Sequence, residues 1–138
     1  MARKLAIVLI IALALSVTAC GVPRKVSTIN MEKAQIELNE YCKSIPSLHS
    51  VGEMYIYDVT KDGVEDMCTS VTFGVENIRK GVVVYDVLNG VYYTLSSEFL
   101  SYDISKVEKG RLIVYKDEEV KGTVQIEDGA LVFVADKK

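Results

Sequence analysis

The sequence has little of what most catalytic and metal-binding sites require. Its 138 residues include one histidine, His49, and no tryptophan. A single histidine argues against a serine-type triad, and no Gly-x-Ser-x-Gly motif is present to position a nucleophile. A zinc site joining His49 to Cys42 and Cys68 would need free thiols, and the chain has no Cys-x-x-Cys or His-x-x-x-His pair. We therefore interpret His49 as a loop residue and expect no enzyme, no metal and no cofactor.

Other binding motifs are missing as well. No phosphate-cradling glycine motif occurs. The acidic runs at 65–66, 117–119 and 127–128 lack the alternating carboxylates of a calcium loop, and we interpret them as solvated turns. No long run of Lys or Arg appears, and the formal net charge is −3. This charge pattern argues against a nucleic-acid partner.

The clearest feature that is present lies at the N-terminus. Arg3 and Lys4 precede an unbroken apolar run from Leu5 to Leu15, and small residues follow it. This three-part layout is that of a secretory signal. A membrane-spanning helix would need about 20 apolar residues, and this run is shorter. We predict that residues 1–19 are a cleaved signal peptide.

The end of this segment, Val17-Thr18-Ala19-Cys20, resembles the lipobox of bacterial lipoproteins. The resemblance implies that the signal is cut before Cys20 and that this cysteine carries a diacylglyceryl group, usually with a third chain. More than one acyl chain gives stable membrane attachment. In lipoproteins of diderm bacteria an Asp after the cysteine commonly signals inner-membrane retention, so Gly21 favours the periplasmic face of the outer membrane. The alternative is an ordinary signal peptide that leaves a free cysteine.

The remaining chain is long enough for one domain. We predict a tether over residues 20–29 and a single domain over 30–138. At 3.3–3.6 Å per residue the tether spans at most about 35 Å, which keeps the domain near the bilayer. Loss of the two positive charges of Arg3 and Lys4 takes the formal charge from −3 to −5.

Two further cysteines, Cys42 and Cys68, remain in the domain. In an oxidising compartment a disulfide is the default expectation for such a pair. Closing the loop between them would contribute about 3–4 kcal/mol in the entropic model. We predict a Cys42–Cys68 disulfide that holds a helix against a sheet.

The spacing of apolar residues predicts an α+β fold. They recur at intervals of three and four from Met31 to Ile45, after Asn30 as a helix N-cap and before Pro46 as a stop. From Met54 the period changes to two, and about six strands follow, joined by short links that favour antiparallel neighbours. We expect one N-terminal amphipathic helix packed on an antiparallel meander sheet of about six strands, which could curl towards a barrel.

Asn89-Gly90 predicts a two-residue type I′ turn between two apolar strands. That register places Asp86 opposite Tyr93, where the phenol could hydrogen-bond a buried carboxylate of raised pKa. We regard Asp86 and Tyr93 as a candidate polar site. The alternative is that Asp86 lies near the solvated end of its strand.

Tyr55 and Tyr57 share one face of the strand that begins at Met54. If Met54 and Ile56 lie in the core, the two tyrosines look outward. Tyrosine is enriched at interfaces, so this pair is a candidate binding face. Ordinary sheet packing is the alternative.

These observations favour a lipid-anchored, non-enzymatic module of the cell envelope that binds another envelope protein, with an inhibitor or immunity-type role as one version. The alternative is a carrier of a small hydrophobic or peptidoglycan-derived ligand. Its cavity would be lined by Val84, Tyr93 and Leu95. A hydrolase is the least favoured function.

Overall fold

A computed structural model describes residues 30–138. Its elements, in chain order, are α1 (Met31–Lys43), β1 (Leu48–Tyr57), β2 (Asp66–Phe73), β3 (Arg79–Asp86), β4 (Val91–Leu95), β5 (Tyr102–Glu108), β6 (Arg111–Lys116), β7 (Val120–Glu127) and β8 (Ala130–Ala135). The predicted signal peptide, the lipidation site Cys20 and the tether lie outside the described residues.

The strands form two antiparallel meanders, the first sheet in the order β1-β2-β3-β4 and the second in the order β5-β6-β7-β8. The predicted combination of a helix with antiparallel sheet is confirmed. The predicted single sheet of about six strands is wrong in detail, because the described residues form eight strands in two sheets. Neither sheet closes into a barrel.

The predicted N-cap of α1 is confirmed. Asn30 has extended backbone geometry, and its side-chain oxygen accepts a hydrogen bond from the Lys33 amide at 3.1 Å. This bond satisfies one of the exposed donors of the first turn. Ala34, Leu38 and Cys42 form the buried stripe of the helix, as the spacing of three and four requires.

The molecule has three layers, with the first sheet between α1 and the second sheet. The helix-side core joins α1 to one face of the first sheet, and consists of Ala34, Leu38, Cys42, Met67, Val71, Val83 and Tyr85. The inter-sheet core fills the space between the sheets, and consists of Val59, Cys68, Val82, Val84, Tyr102, Ile104, Leu112, Val114, Val124 and Leu131. β2 and β3 are therefore buried on both faces, as central strands are.

Three tyrosines stack in a row beside α1. The ring of Tyr92 lies 4.2 Å from that of Tyr41 and 4.5 Å from that of Tyr85, measured between centroids. The Tyr85 hydroxyl donates to Glu37 Oε2 at 2.5 Å, and the Tyr41 hydroxyl is 3.1 Å from Thr94 Oγ1. The row fixes how α1 lies along the first sheet.

The two ends of the first sheet can be distinguished by the course of α1. Glu37 contacts β3 near its last residues, while the chain after the helix enters β1 at Leu48, which pairs with Phe73. The helix therefore begins at the end that carries the β1–β2 loop (58–65) and the β3–β4 turn (87–90). We call this the tether end, since the predicted tether precedes Asn30 in the sequence. The opposite end, here called the far end, carries the β2–β3 turn (74–78) and the β4–β5 segment (96–101).

Candidate functional site

The structure contradicts the predicted disulfide. Cys42 lies in the helix-side core and Cys68 in the inter-sheet core, and both are buried free thiols. Cys68 follows Met67, which faces the helix, and successive side chains of a strand point to opposite faces. A bridge would have to pass through the sheet, whereas bonded cysteines need Cβ atoms about 3.5–4.5 Å apart.

Neither thiol is poised for chemistry. Burial raises the pKa of the Cys42 thiol to about 11. Burial, together with the nearby charge of Asp66, raises the pKa of Cys68 further. Because the thiolate is the reactive form, both cysteines act as small apolar core residues.

The candidate binding face of Tyr55 and Tyr57 is covered. Both rings pack against the inter-sheet core. The Tyr55 hydroxyl donates to the Ser105 carbonyl of β5 at 3.2 Å. Ile56, expected in the core, is 44% exposed. The second sheet, which was not predicted from the sequence, covers the face of β1 that carries Tyr55 and Tyr57. This face therefore lies inside the molecule rather than on its surface.

Asp86 and Tyr93 do not meet. Asp86 pairs with Val91, while Tyr93 pairs with Val84. The connection is a four-residue turn, and the Asp86 carboxylate accepts from the Asn89 amide at 2.9 Å and from Asn89 Nδ2 at 2.8 Å. A type I′ turn needs positive φ at both central residues, but of Asn89 and Gly90 only Gly90 has it. The carboxylate thus starts the turn two residues earlier than predicted.

The structure reveals a second buried carboxylate, Asp66, which the sequence pattern had placed in a solvated turn. It is fully buried, and its Oδ2 accepts from the amides of Val59 and Thr60 at 2.9 and 3.0 Å. Its Oδ1 is buried without a hydrogen-bond partner. Desolvation raises the pKa of Asp66 to about 6, and the charge of Asp86 adds to the rise. Its position directly before an alternating strand was the only available signal.

His49 lies in β1 rather than in a loop, and its Nε2 is 2.5 Å from the Gly74 carbonyl oxygen. Within residues 30–138 no group of three or more His, Cys, Asp or Glu residues is arranged to hold a metal ion. None of the helices in that range is long and apolar enough to cross a membrane.

Exposed apolar side chains lie at both ends of the first sheet, and the two most exposed ones in the described residues lie at the far end. Val75 is 82% exposed and Ile78 54% exposed in the β2–β3 turn, and Phe99 is 86% exposed in the β4–β5 segment. We call these three residues the far-end patch. Ser101 Oγ accepts from the Lys80 amide at 3.2 Å, which holds the β4–β5 segment against the start of β3, next to the β2–β3 turn.

Carboxylates surround the far-end patch. The β6–β7 turn joins this end because the Ser101 amide donates to Asp117 Oδ1 at 2.8 Å and the Asp117 amide donates to the Ser101 carbonyl at 2.8 Å. Five exposed acidic residues lie in the three segments: Glu76, Glu98, Asp117, Glu118 and Glu119. Two partly buried cations, Arg79 and Lys80, line a cavity with Ile78 and Glu118, and Lys80 pairs with Asp103. The far end therefore combines exposed apolar side chains with an excess of carboxylates.

Comparisons of the chain with models of known protein families, with curated proteins and with solved structures found no significant match. Its function is therefore inferred from its own residues and their geometry.

Proposed function

We propose that this chain is a lipid-anchored, non-enzymatic module of the cell envelope that binds another protein through the far-end patch. The observation that carries the proposal is the position of Val75 and Phe99. These are the two most exposed large apolar side chains of the described residues, and they lie at the end of the first sheet opposite the tether.

Large apolar side chains as exposed as Val75 and Phe99 at the same end of a sheet are a feature of interaction sites. Aromatic side chains often supply most of the binding energy in such sites, which makes Phe99 the expected anchor of the contact. Because the lipid would attach at Cys20, the patch would point away from the bilayer and towards partners in the envelope space.

The charges around the patch favour one kind of partner. Exposed carboxylates, those of Glu76, Glu98, Asp117, Glu118 and Glu119, outnumber the cations Arg79 and Lys80 at this end, so a complementary surface would offer an apolar pocket bordered by Lys or Arg. An acidic rim also disfavours burial of the patch in an anionic membrane surface. An inhibitor or immunity-type role, in which this end blocks a basic protein, fits the same features. The outer membrane stays the favoured location if the source is diderm.

The carrier alternative has less support. It required a cavity lined by Val84, Tyr93 and Leu95. Val84 is completely buried in the inter-sheet core, and Tyr93 and Leu95 pack against the same core. These side chains fill the space in which a ligand would have to lie.

Site-directed photo-crosslinking in intact cells tests the proposal. Benzoylphenylalanine replaces Phe99 in one variant and Leu88, which is 49% exposed at the tether end, in a matched control. We expect one discrete adduct from position 99 that is lost when Val75→Ser and Ile78→Ser are added, and that purified unlabelled protein competes away. Equal labelling from both positions, or an adduct insensitive to the serine substitutions, would refute the far-end patch as the binding surface.

A further inference from the structure

A cavity of about 390 Å³ lies where the last residue of β1 and the loop after it approach the second sheet. Its polar lining comes from Tyr57, Lys61, Lys109, Arg111, Thr123 and Gln125. Three of these six side chains are cationic, and no carboxylate lines the cavity. The chain has 19 acidic residues and 16 basic ones, so a cavity lined by three basic side chains and no acidic one is unlike its average composition.

The positive charge of the cavity is only partly neutralised. Arg111 pairs with Asp136. Within the described part of the chain, Lys61 and Lys109 make no ion pair. The carboxylate nearest to Lys61 in sequence, Asp62, accepts a hydrogen bond from the Val64 amide at 2.8 Å. Two lysine ammonium groups are therefore available to an anion, beside the hydroxyl donors of Tyr57 and Thr123. The side-chain amide of Gln125 already donates to Glu127 Oε1.

Both lysines occupy costly backbone positions. Lys61 has φ of 60° and Lys109 has φ of 52°. A left-handed conformation costs a non-glycine residue about 1–2 kcal/mol, and Gly or Asn would fill such turn positions more cheaply. The positive φ of Lys109 is what the two-residue turn that it forms with Gly110 between β5 and β6 requires, and the two turns bring both lysine side chains to one cavity.

The position of the cavity indicates where that ligand comes from. Tyr57 pairs with Asp66, so the cavity lies at the tether end of the first sheet. The helix α1 begins at the same end, on the other face of that sheet. A tether of at most about 35 Å would hold this end close to the bilayer surface. The nearest abundant anions would then be lipid phosphates.

We propose that the cavity of Lys61, Lys109 and Arg111 binds the phosphate of an anionic phospholipid headgroup in the membrane that carries the chain. This inference rests on the membrane anchor of the proposed function, but not on the far-end patch. The anchor would supply a high local concentration of lipid, so a weak intrinsic affinity is sufficient. Binding would orient the domain with its tether end on the bilayer and the far-end patch outward.

Vesicle co-sedimentation of the mature chain carrying Cys20→Ser, which removes the lipid, tests this inference. We expect binding to vesicles of phosphatidylcholine with phosphatidylglycerol, and none to phosphatidylcholine alone. Lys61→Gln and Lys109→Gln should each weaken binding about fivefold, and together about 30-fold. The matched control, Lys43→Gln with Lys137→Gln, makes the same change in net charge and should bind nearly as well as the unsubstituted chain.

The remaining outcomes each decide against the proposal. Equal loss of binding in both double variants would show only non-specific attraction. Shifts of the Lys61 and Lys109 amide resonances with inorganic phosphate, without vesicle binding, would assign the cavity to a soluble anion. Crosslinking from position 99 in the Lys61→Gln, Lys109→Gln variant separates the two proposals. It should persist whether or not the headgroup site exists, because the far-end patch is intact.

Discussion

Asp66 begins β2 and Asp86 ends the neighbouring strand β3, so two buried carboxylates stand side by side at the tether end. The Asp86 side chain is 2% exposed, and both of its carboxylate oxygens accept hydrogen bonds from Asn89. In contrast, Oδ1 of Asp66 has no hydrogen-bond donor. Desolvation and the charge of Asp86 favour the protonated form of Asp66. The raised pKa of Asp66 predicts that the stability of the fold depends on pH.

The first prediction concerns stability against pH. The folded pKa of Asp66, about 6, lies above the ordinary value near 4, so the folded chain binds a proton that the unfolded chain has lost between these values. The free energy of unfolding should therefore fall as pH rises from about 4 through about 6. Asp66→Asn keeps an acceptor for the Val59 and Thr60 amides without the charge, and should be more stable at pH 7 by about 1–2 kcal/mol.

Urea unfolding at pH 5 and pH 7 measures this difference. The Asn variant should lose most of the dependence on pH in that range. A variant less stable than the parent at pH 7 would show instead that the charged hydrogen bonds to Val59 and Thr60 outweigh desolvation.

The second prediction concerns the cysteines. Unfolded, non-reduced protein carrying Cys20→Ser should show two reactive thiols, from Cys42 and Cys68. A reductant should leave the urea midpoint unchanged, since no bridge contributes to stability. A mass lower by two hydrogens before reduction would contradict the placement of the two thiols on opposite faces of the first sheet.

The third prediction concerns the stacked tyrosines. Tyr92→Ala removes the middle ring of the row and should lower the free energy of unfolding by about 3 kcal/mol, as truncation of a packed aromatic does. Tyr85→Phe keeps the stack but removes the hydroxyl that donates to Glu37, and should cost about 1 kcal/mol. Chemical denaturation of both variants gives the comparison. Equal losses would mean that the hydrogen bond, rather than stacking, holds α1.

The fourth prediction concerns Gly122, which pairs with Ala135 in the second sheet. A Cβ there would collide with the Val134 carbonyl and with the ring of Phe133. Gly122→Ala should lower stability by about 1–3 kcal/mol through overpacking. Lys121→Ala, at the exposed neighbouring position, should change it by less than about 0.5 kcal/mol. Thermal unfolding compares the stability of the two variants. Similar unfolding midpoints would contradict the expected crowding at Gly122.

The fifth prediction concerns the membrane anchor. Cys20→Ser should abolish labelling by radioactive palmitate and move the protein from the membrane fraction to the soluble fraction, because one acylated cysteine would hold the chain. Cys42→Ser should keep the label, since that thiol is buried in the helix-side core. Unchanged fractionation of the Cys20→Ser variant would remove the lipoprotein assignment.

Local signals predicted the parts of the fold that local forces determine. The N-cap at Asn30 and the buried stripe through Leu38 follow from hydrogen bonding and spacing within one helix. The strand β5 escaped notice because only Tyr102 and Ile104 of its seven residues are buried. A pattern with period two needs more than two inward positions to be recognised.

The alternation of apolar and polar residues could not predict the second sheet. Alternation distinguishes the two faces of a strand, but it does not show which other element covers each face. In β2, Cys68, Ser70 and Thr72 share one face, and the sequence analysis predicted no second sheet to cover it. Ser70 is 8% exposed instead, because its Oγ accepts from the Ile104 amide of β5 at 2.8 Å. A small hydroxyl can be buried at little cost once it is hydrogen-bonded. The same omission reversed the orientation assigned to Tyr55 and Tyr57.

Within each sheet of the described residues, every strand bonds to its neighbour in sequence, and the first sheet is complete at Leu95 before the second starts at Tyr102. Short-range pairing keeps contact order low for a β-rich chain, which favours rapid folding. If the polypeptide is exported N-terminus first, its strands can thus pair in the order in which they emerge. A fragment ending at Leu95 would leave the Cys68, Val82 and Val84 side chains without the second sheet that covers them, and should therefore be prone to aggregate.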